Sequence, residues 1–323
     1  MRRFVVILTV ILLLIGVPTF AFAQEPIEGT ISGQVVNDTQ GGSSVAGVEI
    51  TLLIYIDDTL ADSTTARTDE EGKFTFDGIN PEHEYLIAAR YLDVDYYYLV
   101  EFEPGTTIAD VEIGVCDTTD SDDLIRSGLT RKIVDIEEET LTITEVHWLV
   151  NDGDKTYVRA DGVLDFTLPE GAFEFEAPEQ LVIDFQLREG NMVTYLVPFP
   201  PGERQLAYAY RLTKPDTAEF TVPLAVDYPT DSLEVLIGGE DIEAAVTQLA
   251  PTEPLVTDSG ESYLRFQGTN LPSNTVINLQ LSDLSRGSGF PLYILWIIIA
   301  VVVVGTAIYL IRRKKRAGGN ERR

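Results

Sequence analysis

Between residues 29 and 284 apolar and polar side chains alternate with a period of two. "VEITLLI" (48–54) sets Val48, Ile50 and Leu52 on one face and Glu49 and Thr51 on the other. "KFTF" (73–76) sets Phe74 and Phe76 together, with Thr75 opposite. Such runs, bounded by Gly, Pro, Asn and Asp clusters, predict half-buried strands and an all-β sandwich architecture. No sustained helical period and no repeat of fixed length occurs in this region. The Asp-rich stretch 117–132 is short of bulky apolar residues until "IVDI", and it predicts an acidic linker between domains 24–116 and 133–284. Nine strand-like runs in the second region suit one larger sandwich. Two smaller ones split near 213–218 fit the same pattern.

The two ends of the chain break this alternation. Arg2 and Arg3, an apolar core and "AFA" before Gln24 have the three parts of a secretory signal over 1–23. Residues 290–311 are apolar and uncharged, and a helix of 22 residues spans about 33 Å, enough for the hydrocarbon core. Tyr293, Trp296 and Tyr309 lie near its ends, and "RRKKR" (312–316) follows at once. Aromatic belts and cytoplasmic basic clusters flank membrane spans in this way. The expected topology is an extracytoplasmic N-terminus, a short linker at 285–289, one span, and a cytoplasmic tail at 312–323. The expected fold class is therefore two extracytoplasmic β-sandwich domains and one C-terminal transmembrane helix.

Charge narrows the partners. Between the signal and the span there are 14 basic against 51 acidic residues, a net charge of −37. Such a surface repels nucleic acid and anionic lipid, and it keeps the protein soluble. The chain has one cysteine, Cys116. No intramolecular disulfide can form, so hydrophobic cores must hold the external domains. Cys116 reads as a small apolar filler at a strand end.

Residues 68–78, "TDEEGKFTFDG", punctuate the first domain. Asp69, Glu70 and Glu71 suit a hairpin turn, Gly72 suits a positive φ, and Phe74 and Phe76 face the core. With "GTISGQVVN" and "SSVAGVEITLL" before it and "HEYLIAARY" after it, the segment resembles the carboxypeptidase regulatory-like domain. That family is a transthyretin-like or carbohydrate-binding-like β-sandwich of bacterial surface proteins. The resemblance covers about residues 29–115 and implies fold and extracellular location. It does not imply peptidase activity.

The sequence carries no zinc-peptidase or serine-hydrolase constellation, while its many carboxylates leave glycosidase chemistry open by composition. His83 and His147, the two histidines, fall in different predicted domains, with neither H-E-x-x-H nor G-x-S-x-G around them. No phosphate loop or dinucleotide fingerprint occurs either. Two binding readings remain. Asp117, Asp120, Asp122 and Asp123 offer oxygen ligands for Ca²⁺, although the loop lacks the central Gly and terminal Glu of an EF-hand and therefore reads first as a solvated acidic linker. Tyr96 and Tyr98 share one strand face that suits a sugar ring, a partner protein or plain core packing. No other cofactor is implied. The expected function is non-catalytic binding or scaffolding toward an unknown protein or glycan partner, with the membrane engaged through one span. An accessory subunit of a secretion, transport or respiratory-assembly complex and a carbohydrate-binding module are the alternatives.

Overall fold

The computed structural model describes residues 28–282, apart from 180, 216, 218, 240, 241, 258 and 259. The predicted signal, linker 285–289, span and tail lie outside the described residues. Among the described residues no helix is long and apolar enough to cross a membrane. The described chain is almost entirely β-strand, arranged in sandwich-like sheets. It divides into two compact units, residues 28–36 with 45–114 and residues 37–44 with 115–282.

The first unit holds strands β1 (Gly29–Asn37), β2 (Glu49–Ile56), β3 (Thr59–Arg67), β4 (Lys73–Ile79), β5 (Glu84–Tyr91), β6 (Val94–Val100) and β7 (Ile108–Val115). They form a three-stranded sheet, β4-β1-β7, and a four-stranded sheet, β3-β2-β5-β6. Alternation decides which face is buried. Ile31, Phe74, Phe76 and Val111 come inward from one sheet, and Ile50, Leu52, Ile87 and Ala89 from the other. Strand β3 carries no inward apolar row, and its residues are almost all exposed. Two-residue turns with positive φ join β2 to β3 (Asp57, Asp58) and β5 to β6 (Leu92, Asp93). That conformation matches the twist of a hairpin.

The "DEEG" turn passes the chain from β3 in one sheet to β4 in the other, so it is not a hairpin. Asp69 Oδ1 accepts the backbone N–H groups of Glu71 and Lys73 at 3.0 and 2.8 Å, and Gly72 has φ +81°. The Gly72 carbonyl in turn accepts Val35 N–H at 2.8 Å.

The second unit begins with a short parallel pair, β8 (Thr118–Thr119) and β11 (Thr156–Tyr157). Its large sheet uses β9 (Ile125–Ile136), β10 (Thr140–Asn151), β13 (Phe173–Glu176), β16 (Gly202–Thr213), β18 (Thr230–Gly238), β20 (Ala250–Val256) and β21 (Ser262–Leu271). Their order is β13-β16-β10-β9-β18-β21-β20. Neighbours are antiparallel except for β9 and β18, which run parallel. Two three-stranded sheets cover its inner face. One comprises β12 (Leu164–Thr167), β15 (Met192–Tyr195) and β14 (Phe185–Arg188), and the other β17 (Glu219–Val226), β22 (Thr275–Ser282) and β19 (Glu243–Val246).

The chain passes from the first half of this unit to the second at 213–218, where the sequence allowed a split. The parallel β9/β18 ladder nevertheless makes one sheet. A single apolar cluster runs from Phe166 and Tyr208 to Val222, Leu233 and Ile277. Residues 125–132, expected as linker, are the first part of β9. They escaped the apolar pattern because the strand buries Ser127, Thr130 and Lys132. The register also shifts beside Gly128, where Leu129 opposes Trp148 and Ser127 opposes Leu149. This bulge moves the inward set from odd to even numbers, which breaks period two.

Gly33 lies opposite Phe74, and a Cβ there would stand 2.5 Å from Val111 Cγ2 and 2.6 Å from Phe74 Cζ. Overpacking of this kind costs roughly 1–3 kcal/mol. Gly33→Ala is expected to lower the stability of the first unit by that amount in chemical denaturation. An unchanged midpoint would show that β1 and β7 have slack there.

Candidate functional site

A buried set of ionisable side chains sits inside the second unit, where β9, β10 and β16 run side by side. Lys132 opposes Glu145, and Glu145 opposes Tyr208. On β10 the inward residues are Ile143, Glu145, His147 and Leu149, so two polar groups occupy core positions. Lys132 Nζ donates to Glu145 Oε2 at 2.5 Å. Tyr210 OH donates to Oε1 at 2.8 Å, and Tyr208 OH to Oε2 at 3.2 Å. His147 Nε2 lies 3.2 Å from both Glu145 Oε2 and Tyr208 OH, and its Nδ1 lies 3.3 Å from Thr130 Oγ1. Ser127 Oγ closes the chain, 2.9 Å from Thr130 Oγ1.

The aromatic shell is tight. The His147 ring is 4.8 Å from Phe166 and stacks at 5.5 Å on Tyr208. Lys132 and Glu145 are 1% exposed. Burial pushes the Glu145 carboxyl upward, but Lys132 and His147 outweigh it and hold the pKa at about 2. Burial, reinforced by the Glu145 charge, raises Tyr208 and Tyr210 well above the usual phenol range. A carboxylate so weakly basic is a poor proton acceptor at neutral pH. Its lone pairs are taken by four neighbours, and the arrangement holds a charged pair in a core.

Beside it, a cavity of about 10 Å³ touches Ser127, Thr130, His147 and Asp227, room for about one water. A larger, open cavity of about 460 Å³ is lined by Asp122, Asp123, Arg159, Asp165, Thr167 and Asp227. Arg159 is committed within it, at 2.9 Å from Asp165 and 3.1 Å from Asp161. Burial raises the Asp227 pKa, partly offset by the Thr167 side chain and, less, by the Lys132 charge and the Thr167 N–H that donates to it.

The four aspartates expected to share Ca²⁺ are dispersed. Asp117 accepts Asn37 Nδ2 at 2.9 Å and Ser43 Oγ at 3.1 Å, fixing the 37–44 loop. Asp123 accepts Ser121 Oγ at 2.8 Å, and with Asp122 it faces the open cavity. Asp120 is exposed. Among the described residues no three His, Cys, Asp or Glu side chains come together to hold a metal ion. Asp117 is drawn off by the loop it anchors, which is the physical reason the set does not form.

Tyr96 and Tyr98 oppose the fully buried Ala89 and Ile87, so both lie on the core side of β6, where Tyr98 is still 37% exposed. Tyr97 points the other way and is 64% exposed. Of the histidines, His147 belongs to the buried network. His83 stands in the turn before β5, 3.2 Å from Asn80 Nδ2. Cys116 is buried just past β7, and burial together with Asp38 and Asp154 pushes its thiol pKa up. The alternation Ile143–Glu145–His147–Leu149 was the signal that could have exposed the network from sequence, because it places an acid and a histidine on an otherwise apolar face.

Asp135 gives the second unit a pH dependence. Burial raises its pKa to about 6, with Tyr263 OH donating to it at 3.2 Å. Between the unfolded value near 3.9 and the folded value, only the folded state keeps the proton, so stability falls as pH rises. Asp135→Asn is expected to remove this fall, gaining on the order of 2 kcal/mol on the parent from pH 4 to pH 7. A parent-minus-variant difference that does not vary with pH in denaturation experiments would contradict it.

No family model matches this chain, and no curated protein matches it. Some solved structures are similar. A putative protease from Parabacteroides distasonis is 9% identical with a TM-score of 0.33, and the match covers 50% of this chain and 41% of that one. The full-length major pilin SpaD from Corynebacterium diphtheriae is 12% identical with a TM-score of 0.24, covering 81% and 84%. A DUF3823 family protein from Parabacteroides merdae is 10% identical with a TM-score of 0.22, covering 62% and 90%. At these identities and scores none of them assigns a fold or an activity to this chain.

Proposed function

We propose that the chain is a non-catalytic extracytoplasmic scaffold, held to the membrane by the apolar segment 290–311. In this reading the first unit is a carboxypeptidase regulatory-like module that presents its surface to a partner. The second is a membrane-proximal spacer. The observation that carries the proposal is the sealed Lys132–Glu145–His147–Tyr208–Tyr210 network. The groups best suited to acid–base chemistry satisfy one another in a core that excludes substrate, as structural polar networks do. The acidity of the external region adds to it, because it favours solubility and cationic partners over nucleic acid or anionic lipid.

The test is crosslinking of the full-length protein in its native membranes, followed by purification and a hydrolase substrate panel. The expected result is a protein partner crosslinked to the external region and no turnover of peptides, esters or glycosides. Recovery of the chain alone would contradict the scaffold. Turnover that disappears in Glu145→Gln would contradict the absence of catalysis.

A further inference from the structure

The outer face of the four-stranded sheet carries an apolar stripe that ends at an open edge. Strand register lines up Leu53, Leu86 and Leu99 in one row, and Thr51, Ala88 and Tyr97 in the next. A third row runs Glu49, Arg90, Asp95. The exposed ends of the first two rows lie on β6, where Leu99 is 59% and Tyr97 64% exposed. Strand β6 is the last of its sheet, and among the described residues no strand pairs with its far side. Its seven residues pair with β5 without a register shift.

Folded proteins usually blunt such an edge with lysine, proline or a bulge. β6 has none of these. Its outward residues are instead Asp95, Tyr97 and Leu99, and the exposed Glu101 follows at the same parity. Two apolar side chains are thus bracketed along one edge by Glu101 and by Asp95, which Arg90 of β5 holds in an ion pair at 3.2 Å with part of the carboxylate still exposed.

We infer that β6 is an acceptor edge for an extended segment of another protein that alternates basic and apolar residues. Added as a further strand, that segment would place apolar side chains beside Leu99 and Tyr97 and continue both rows. Basic side chains two positions further out would meet Asp95 and Glu101. Main-chain hydrogen bonds would supply affinity, and the side-chain rows would supply specificity. The charge argues against a second copy as occupant, since the external region of each copy carries −37 and like-charged surfaces repel. This inference rests on the binding role proposed above and names the chemistry of the partner.

The probe is a synthetic peptide with lysine, valine, valine and lysine at alternate positions and threonine between them, titrated into the detergent-solubilised full-length protein. Three control peptides are used: one with glutamates for the lysines, and two N-methylated along one backbone edge or the other. The lysine peptide is expected to bind, and the glutamate peptide to bind at least tenfold more weakly. N-methylation of one edge should abolish binding while the other edge tolerates it. Tyr97→Lys with Leu99→Lys, both at exposed positions, should weaken binding at least tenfold while leaving the melting curve unchanged. Equal binding to parent and variant, or indifference to N-methylation on both edges, would reduce the effect to general surface charge and overturn the inference. Self-association of the parent that is lost in the variant, without peptide binding, would assign the edge to a second copy and also overturn it. A crosslinked partner whose recovery survives the double variant would overturn this site while leaving the scaffold role intact.

Discussion

A lysine and a glutamate that oppose one another in the middle of a core set the terms for the second unit. Removing an ion pair from water costs several kcal/mol per ion, repaid only where geometry is good and the remaining lone pairs are satisfied. Here Tyr208, Tyr210 and His147 supply those partners from β16 and β10. Register is the price of that arrangement. A one-residue slip of β9 against β10 would turn Lys132 to the opposite face, and a two-residue slip would leave two charges buried apart. The ladder β16-β10-β9 is thereby fixed by charge as well as by shape.

The same strand then joins the two halves of the unit. β9 uses one edge for β10 and the other for β18, and the parallel ladder aligns Lys132 with Val235. The inward row therefore passes from charged to apolar within one sheet: Glu145, Lys132, Val235, Phe266. On the outer face Glu234 joins Arg131 of β9 and Arg265 of β21, so a second set of charges crosses the same seam. Burial pushes the Glu234 carboxyl up, and the two arginines outweigh it and lower the pKa. These partly exposed pairs contribute less than the sealed one, since solvent screens them.

Strand character was readable wherever one face was apolar. Val48, Ile50 and Leu52, and Phe74 and Phe76, stood out by alternation and lie in the core. Three kinds of residue hid the rest. Strand β3 is exposed on nearly every side chain, so burial never shaped its sequence. β9 opens on Ser127, Thr130 and Lys132, and its polar inward row reads as a linker until the partners on other strands are known. The turn at Leu92 and Asp93 has positive φ at both residues, which Leu rarely signals. Of the candidate sites, the aspartates of 117–123 and the face of Tyr96 and Tyr98 were plausible by composition. Long-range contacts, which composition does not show, place them: the 37–44 loop takes Asp117, and pairing with β5 sets Tyr96 and the 37% exposed Tyr98 on the core side of β6.

If Lys132 and Glu145 act as one structural unit, a double-mutant cycle on the unfolding free energy of the full-length protein will show it. Lys132→Met and Glu145→Gln are each expected to cost about 3–5 kcal/mol, because each strands a buried partner. The double variant should recover much of that loss, giving a coupling of more than about 2 kcal/mol. Costs that simply add would mean that the two charges are independent, and the account of the second unit would fail.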